Sequence, residues 1–306
     1  MTTTASLVAA LVLGSALAQA SPAEDRGFAF WKALSLDCRV PEGGSAAALV
    51  DEAVGFLGSR SSEWRDEIGY GVVASCVYQK RALSGEERRA LVERLTGNLL
   101  RGVGESGTDS VLLRSFSALD LSILAALEDE APALDAAGYR RLVDAAFAYL
   151  RDERDLRALE PGVGWIHATA HTADLLKFLA RDARFAPADA QRLLEAVAAK
   201  LITPGAPVFT HAEEERLAAA VASLVRRSDF DLGILDPWLG RFVAAEKQVW
   251  REAPPQQALL DAAQNGRSFL RCLYVTLSLP AAATPGTPAP PPTREKVLAT
   301  LATIRR

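Results

Sequence analysis

Between its first 25 residues and its C-terminus this chain has almost no run of strict apolar–polar alternation. Its apolar positions instead recur at helical spacing between short Gly- and Pro-rich breaks. Such a pattern cannot line one face of a pleated strand, but it can line one face of a helix. The breaks are Pro41-Glu42-Gly43-Gly44, Gly102-Val103-Gly104, Pro161-Gly162-Val163-Gly164 and Pro204-Gly205. Ala, Leu, Arg and Glu, all good helix formers, dominate the segments between them. The expectation is an all-α protein with helices over 25–37, 45–58, 62–80, 84–102, 109–128, 136–157, 165–182, 187–202, 211–227, 236–251, 256–279 and 293–304. Ser84 with Glu87, and Thr210 with Glu213, have capping-box spacing. Pro187 and Pro254 suit first turns.

The helices beginning near 62, 109, 165, 211 and 256 alternate with the others at intervals of about 45 to 55 residues. That spacing suits antiparallel helix pairs stacked as a HEAT-like α-solenoid. An irregular helical bundle or toroid is the alternative. With 49% apolar residues the chain can bury a sizeable core, and residues 21–279 are expected to form a single all-helical domain. Residues 280–292, PAAATPGTPAPPP, read as an extended Pro-rich linker, and 293–306 as a C-terminal helix. Residues 1–20 have the length of a signal peptide and end in Ala18-Gln19-Ala20, the small-x-small pattern that signal peptidase needs, although no Lys or Arg precedes the apolar stretch. The expectation is a periplasmic or secreted protein cleaved after Ala20, with a cytoplasmic one as the alternative. The apolar run falls short of the ~20 residues of a membrane span, so no stable anchor is expected.

A formal charge of −4, with basic residues clustered no further than pairs such as Arg88-Arg89, argues against a nucleic-acid partner. No P-loop, dinucleotide fingerprint, G-x-S-x-G elbow or H-E-x-x-H occurs. Cys38, Cys76 and Cys272 have no metal or redox spacing; a Cys38–Cys76 disulfide and three buried thiols are both compatible with the sequence.

Only three histidines occur in 306 residues, and two stand in the stretch VGWIHATAHTADLL, residues 163–176. On a helix, His167, His171 and Asp174 fall within about 60° of one another. Two imidazoles at i and i+4 can share a divalent metal such as zinc, with a carboxylate as ligand or orienting group. The same residues also suit an ordinary polar border. His211 begins the corresponding helix one interval later, in THAEEER, where Glu214 and Glu215 are candidate general bases. Trp165 is either a pocket wall or a packing anchor. Asp66 and Arg114 are further candidates for ligand binding. The simplest structural role for Arg114, set among Leu and Phe, is an ion pair with Asp66 or Glu67. Ser115 and Ser117 have no nearby His in sequence.

The segments WRDEIGY from Trp64, LRSFSAL from Leu113 and GWIHATAHTADLL from Gly164 resemble a bacterial family catalogued as domain of unknown function 2785, over roughly residues 60 to 230. The resemblance implies that the three motifs form one constellation; it brings no mechanism. Two functions follow as expectations. One is a helical-repeat-like protein whose polar groove binds a ligand or protein partner through Asp66, Arg114, Trp165, His167, His171, Asp174 and His211. The other is a metal-dependent hydrolase with His167, His171 and His211 as ligands, Asp174 beside them and Glu214 or Glu215 as base.

Overall fold

The computed structural model describes residues 26–251, 253–279 and 291–304. The expected signal peptide and most of the expected Pro-rich linker lie outside the described residues. Helices α1 (Gly27–Asp37) and α2 (Ala46–Val54) are followed by a 3-10 turn and then by a composite helix. In this composite, π-helical segments Glu63–Tyr70 and Ala74–Gln79 flank one α-helical turn, α3 (Gly71–Val73). The remainder is α4 (Gly85–Asn98), α5 (Ser110–Glu128), α6 (Ala136–Asp152), α7 (Ala168–Leu179), α8 (Pro187–Ile202), α9 (Glu213–Val225), α10 (Leu235–Val249), α11 (Gln257–Ser278) and α12 (Pro291–Ile304). The only strands among the described residues are the two-residue β1 (Leu159–Glu160) and β2 (Gly164–Trp165), paired antiparallel. The protein is therefore mostly helical, as its patterning predicts.

The helices form two rows. The composite helix, α5, α7, α9 and α11 each pack against the next, while α4, α6, α8 and α10 back α5, α7, α9 and α11 in turn. Inner helices are covered on several sides. Of the 19 residues of α5, 15 are buried, and of the 12 of α7, 10. The backing α4 buries 4 of 14 and turns a charged face to solvent. This explains why α5 reads as an almost uninterrupted apolar run, long and apolar enough to cross a membrane, yet is the core helix of the protein.

Local chemistry sets the ends. Ser84 and Glu87 form the expected capping box, and Pro187 opens α8. Thr210 and Glu213 do not form one: the Glu213 carboxylate accepts from the His211 N–H, and Thr210 Oγ1 meets His211 Nδ1 instead. Pro254 precedes α11 without belonging to it. Residues 291 and 292, expected in the linker, belong to α12. That helix docks on α10 and α11, burying Val297, Leu301 and Ile304, with Lys296 Nζ 2.6 Å from Asp236 Oδ2. Cys38 and Cys76 are joined in a disulfide with Cα atoms 5.0 Å apart, tying the end of α1 to the composite helix and leaving Cys272 free.

One correction matters for the site. The helix expected from 165 begins at Ala168, because the chain first reverses through the hairpin. Gly164 has φ +87°, and a Cβ there would lie 3.2 Å from Ser62 Cβ and 3.3 Å from Arg65 Nη2. Only glycine allows both the left-handed backbone and that approach. The result is that Arg65 Nη2 donates to the Val163 carbonyl at 2.9 Å.

Candidate functional site

The three sequence motifs meet where the composite helix, α5, α7 and the start of α9 lie side by side. Arg65 pairs with Phe116 and Tyr70 interacts with Asp120; His167 meets His211 and Asp174 meets Arg216. Contacts that advance together along α7 and α9 mean that these two helices run parallel. A side chain one turn on along one helix therefore meets a side chain one turn on along its neighbour.

A ladder of rings crosses the helix ends. The Arg65 guanidinium lies 4.8 Å from the Phe116 centroid. Phe116 meets His171 edge to face at 5.0 Å, His171 meets His167 at 5.7 Å, and His167 stacks on Trp165 at 4.8 Å and 19°. The His211 ring closes on Trp165 at 5.8 Å. Trp165 is thus neither inside a helix nor a buried anchor. It sits on β2, 41% exposed, with one face against His167.

Hydrogen bonds assign the protons. The Ser115 hydroxyl donates to the Ile166 carbonyl, which can only accept. His171 Nδ1, 2.8 Å from Ser115 Oγ, must then supply the proton of that contact. The Nε2 lone pair is left open. His171 is 7% exposed, and burial, with His167 next to it, pushes its pKa down to about 3, so the ring is neutral. His167 Nε2 lies 2.7 Å from the His211 carbonyl and must donate to it, leaving Nδ1 as its open lone pair. Burial lowers the pKa of His167 as well.

The two histidines are not on one helical stripe. His167 is the left-handed cap residue of α7 at φ 54°, and Ala212 caps α9 in the same way at φ 68°. Positive φ is uncommon outside glycine. His211 consequently precedes α9 rather than occupying its first turn. The acidic companion of this layer is Glu213, whose Oε1 is 3.7 Å from His167 Nε2. Glu214 and Glu215 act electrostatically on Cys272 of α11 instead.

One turn deeper stand Tyr70, Asp120, Asp174 and Arg216. Asp174 binds Lys177 Nζ at 3.0 Å and Arg216. Asp120 is fully buried, and neither carboxyl oxygen has a hydrogen-bond partner among the described residues. Burial raises its pKa well above the carboxylate range, so it is held as the neutral acid. Tyr70, which feels both Asp120 and Asp174, is raised by burial first and by these two next.

Other expectations fall differently. Arg114 points away from this layer and is fully buried in a forked pair with Glu153, Nε to Oε2 at 2.6 Å and Nη2 to Oε1 at 3.2 Å. The expected pairing of Arg114 with Asp66 or Glu67 does not occur. Asp66 sits 2.8 Å from the Nε of its neighbour Arg65, and Glu67 binds Lys32. Among the described residues no group of three or more His, Cys, Asp or Glu side chains is arranged to hold a metal ion. His167 and His171 keep one open nitrogen each, and Asp174, the carboxylate expected beside them, is taken up by Lys177 and Arg216. The zinc-binding triad of His167, His171 and His211, with Glu214 or Glu215 as base, is not assembled. Arg65, Ser115, Asp120 and Glu213 enter the cluster instead; Ser115, which has no nearby His in sequence, finds His171 56 residues away.

No curated protein and no solved structure matches this chain. Residues 99–275, which carry the second and third motifs and span more than half the sequence, match the family described as "Protein of unknown function (DUF2785)". With LRSFSAL and GWIHATAHTADLL joined in one ring ladder inside the matched region, the chain belongs to the DUF2785 family.

Proposed function

We propose that this protein is an exported helical-repeat scaffold of HEAT-like type, whose inner row binds a ligand at the Trp165–His167–His171 ladder. Two parallel rows of helices with a short interval between corresponding elements support the repeat reading. The observation that carries the binding reading is His171: a nine-tenths buried neutral ring whose Nδ1 is pinned by Ser115 and whose Nε2 makes no hydrogen bond among the described residues. An acceptor nitrogen without a protein partner, one ring away from a half-exposed indole, is available to a ligand's O–H or N–H. The Cys38–Cys76 disulfide and the Ala18-Gln19-Ala20 sequence support export, since such bonds persist in oxidising compartments.

A thermal-shift screen of small polar metabolites tests the binding reading. At least one should raise the melting temperature of the wild type and leave a Trp165→Ala, His171→Leu double variant unmoved. Equal shifts in both proteins would place binding elsewhere. N-terminal sequencing of protein from the producing cell tests export, with Ser21 expected first; retention of Met1 would overturn it.

A further inference from the structure

We infer that a cleft between α8 and α10 is a binding site for a free amino acid with an apolar side chain, held at the mouth by its two opposite charges and within by its side chain. The cleft shares no residue with the Trp165–His167–His171 ladder, so this second site goes beyond the reading above.

The cleft has a volume of about 240 Å³, below the ~300–1,000 Å³ usual for drug-sized ligands, so it suits a small molecule. Gln191, Leu194 and Glu195 of α8 are spaced three and four apart, as are Ile234, Pro237, Trp238 and Arg241 at the start of α10. Each helix therefore gives the cleft a single face. The wall is apolar, Leu194 on one side and Ile234, Pro237 and Trp238 on the other. It is also preformed. Trp238 Nε1 donates to the Leu194 carbonyl at 2.7 Å, and Phe242 and Phe269 meet the indole edge to face at 5.2 and 5.9 Å. With its N–H committed, Trp238 has only apolar surface left to offer.

The mouth carries one charge of each sign, and the two do not meet. Glu195 and Arg241 both line the cleft and both are exposed, yet among the described residues neither forms an ion pair. Glu195 accepts only from the neutral Gln191 amide, at 2.8 Å. Other charges on the same helices are matched, Asp189 by Arg192 at 2.9 Å and Asp236 by Lys296 at 2.6 Å. An anion paired with Arg241 would leave Glu195 facing it across a small cleft, and a cation on Glu195 would face Arg241. A wholly apolar occupant would strip water from both charges and compensate neither. An amino acid meets all three demands from one carbon. Its ammonium goes to Glu195, its carboxylate to Arg241, and its apolar side chain to Leu194 and Trp238.

Isothermal titration calorimetry of the full chain tests this. The probes are leucine, isoleucine and phenylalanine, with 4-methylpentanoate (leucine without its amino group) and 3-methylbutylamine (leucine without its carboxylate). At least one amino acid should bind saturably, and the two leucine fragments should each bind at least tenfold more weakly than leucine. Arg241→Gln should weaken leucine at least tenfold and leave the amine unchanged; Glu195→Gln should weaken leucine equally and leave the carboxylate unchanged. Both side chains are exposed, so neither variant disturbs the core. Trp165→Ala should bind leucine as the wild type does. If no amino acid binds, or a fragment binds as tightly as leucine, the proposal is overturned. It is overturned equally if binding survives Arg241→Gln but is lost in Trp165→Ala, because the ligand then sits at the ladder.

Discussion

Ser115 Oγ lies 2.8 Å from His171 Nδ1 and donates its own hydrogen bond to the carbonyl of Ile166, so a hydroxyl on α5 sets the tautomer of a histidine on α7. Ser115→Ala leaves an imidazole N–H and a carbonyl without their buried partner. The expected cost is about 1–3 kcal/mol in urea unfolding. The 15N shifts of His171 should also move from a single Nδ1–H tautomer to a mixture; an unchanged tautomer would mean that Ser115 does not control the ring.

Arg114 and Glu153 are structural. Arg114→Leu strands a buried carboxylate and should cost about 3–5 kcal/mol. Arg114→Lys should recover little, because a point charge cannot serve both Glu153 oxygens, the Arg101 carbonyl and Ser110 together. The double change Arg114→Met, Glu153→Leu removes both charges and should be less damaging than Arg114→Leu alone. Denaturant midpoints of the four proteins check this.

Acid should weaken the fold through His171. Its folded pKa of about 3 lies below the ordinary 6.5. Between those values the unfolded chain binds a proton that the folded ring refuses, so stability is greatest above pH 6.5 and falls as pH drops. The His171 share is roughly 3 kcal/mol between pH 6.5 and 4. Stability measured against pH for His171→Phe should lose that share of the slope, whatever its absolute stability.

Asp120 acts in the opposite direction. A folded pKa raised by burial means that its contribution is complete below the unfolded carboxylate value and is lost as pH rises through the folded one. Asp120→Asn has no proton to lose. Its melting temperature relative to wild type should increase steadily from acid toward alkaline pH, and a constant difference would show that Asp120 titrates normally.

Reduction should loosen the N-terminal end. The Cys38–Cys76 bond closes a separation of 38 residues, for which chain entropy gives roughly 3–4 kcal/mol. Alkylation of non-reduced, unfolded protein should label Cys272 alone. Cys76→Ser should lower stability by about that amount and free Cys38 for labelling.

The helices were legible in the chain because apolar periodicity, Pro, Gly and caps act over a few residues. Ser84, Glu87 and Pro187 stand where local chemistry puts them. The scarce histidines that the sequence singles out do lie together in space, His167 and His171 at 5.7 Å and His211 at 5.8 Å from Trp165. What went unread depended on partners distant in sequence. His167 leaves the helical stripe because a glycine hairpin packs against Arg65 and the chain enters α7 through a left-handed residue. Glu213 rather than Glu214 or Glu215 faces His167 because of the same kind of entry into α9.

By itself, then, the sequence determined the mostly helical class and the caps and breaks that bound several helices, since these follow from interactions within a turn or two of chain. Tertiary structure alone decided that Arg114 belongs to Glu153, that Ser115 belongs to His171, and that the imidazoles present lone pairs instead of a metal cage. A buried polar atom takes whichever partner the packing of helices brings within about 3 Å, and that distance is set by contacts some 40 to 100 residues apart in the chain.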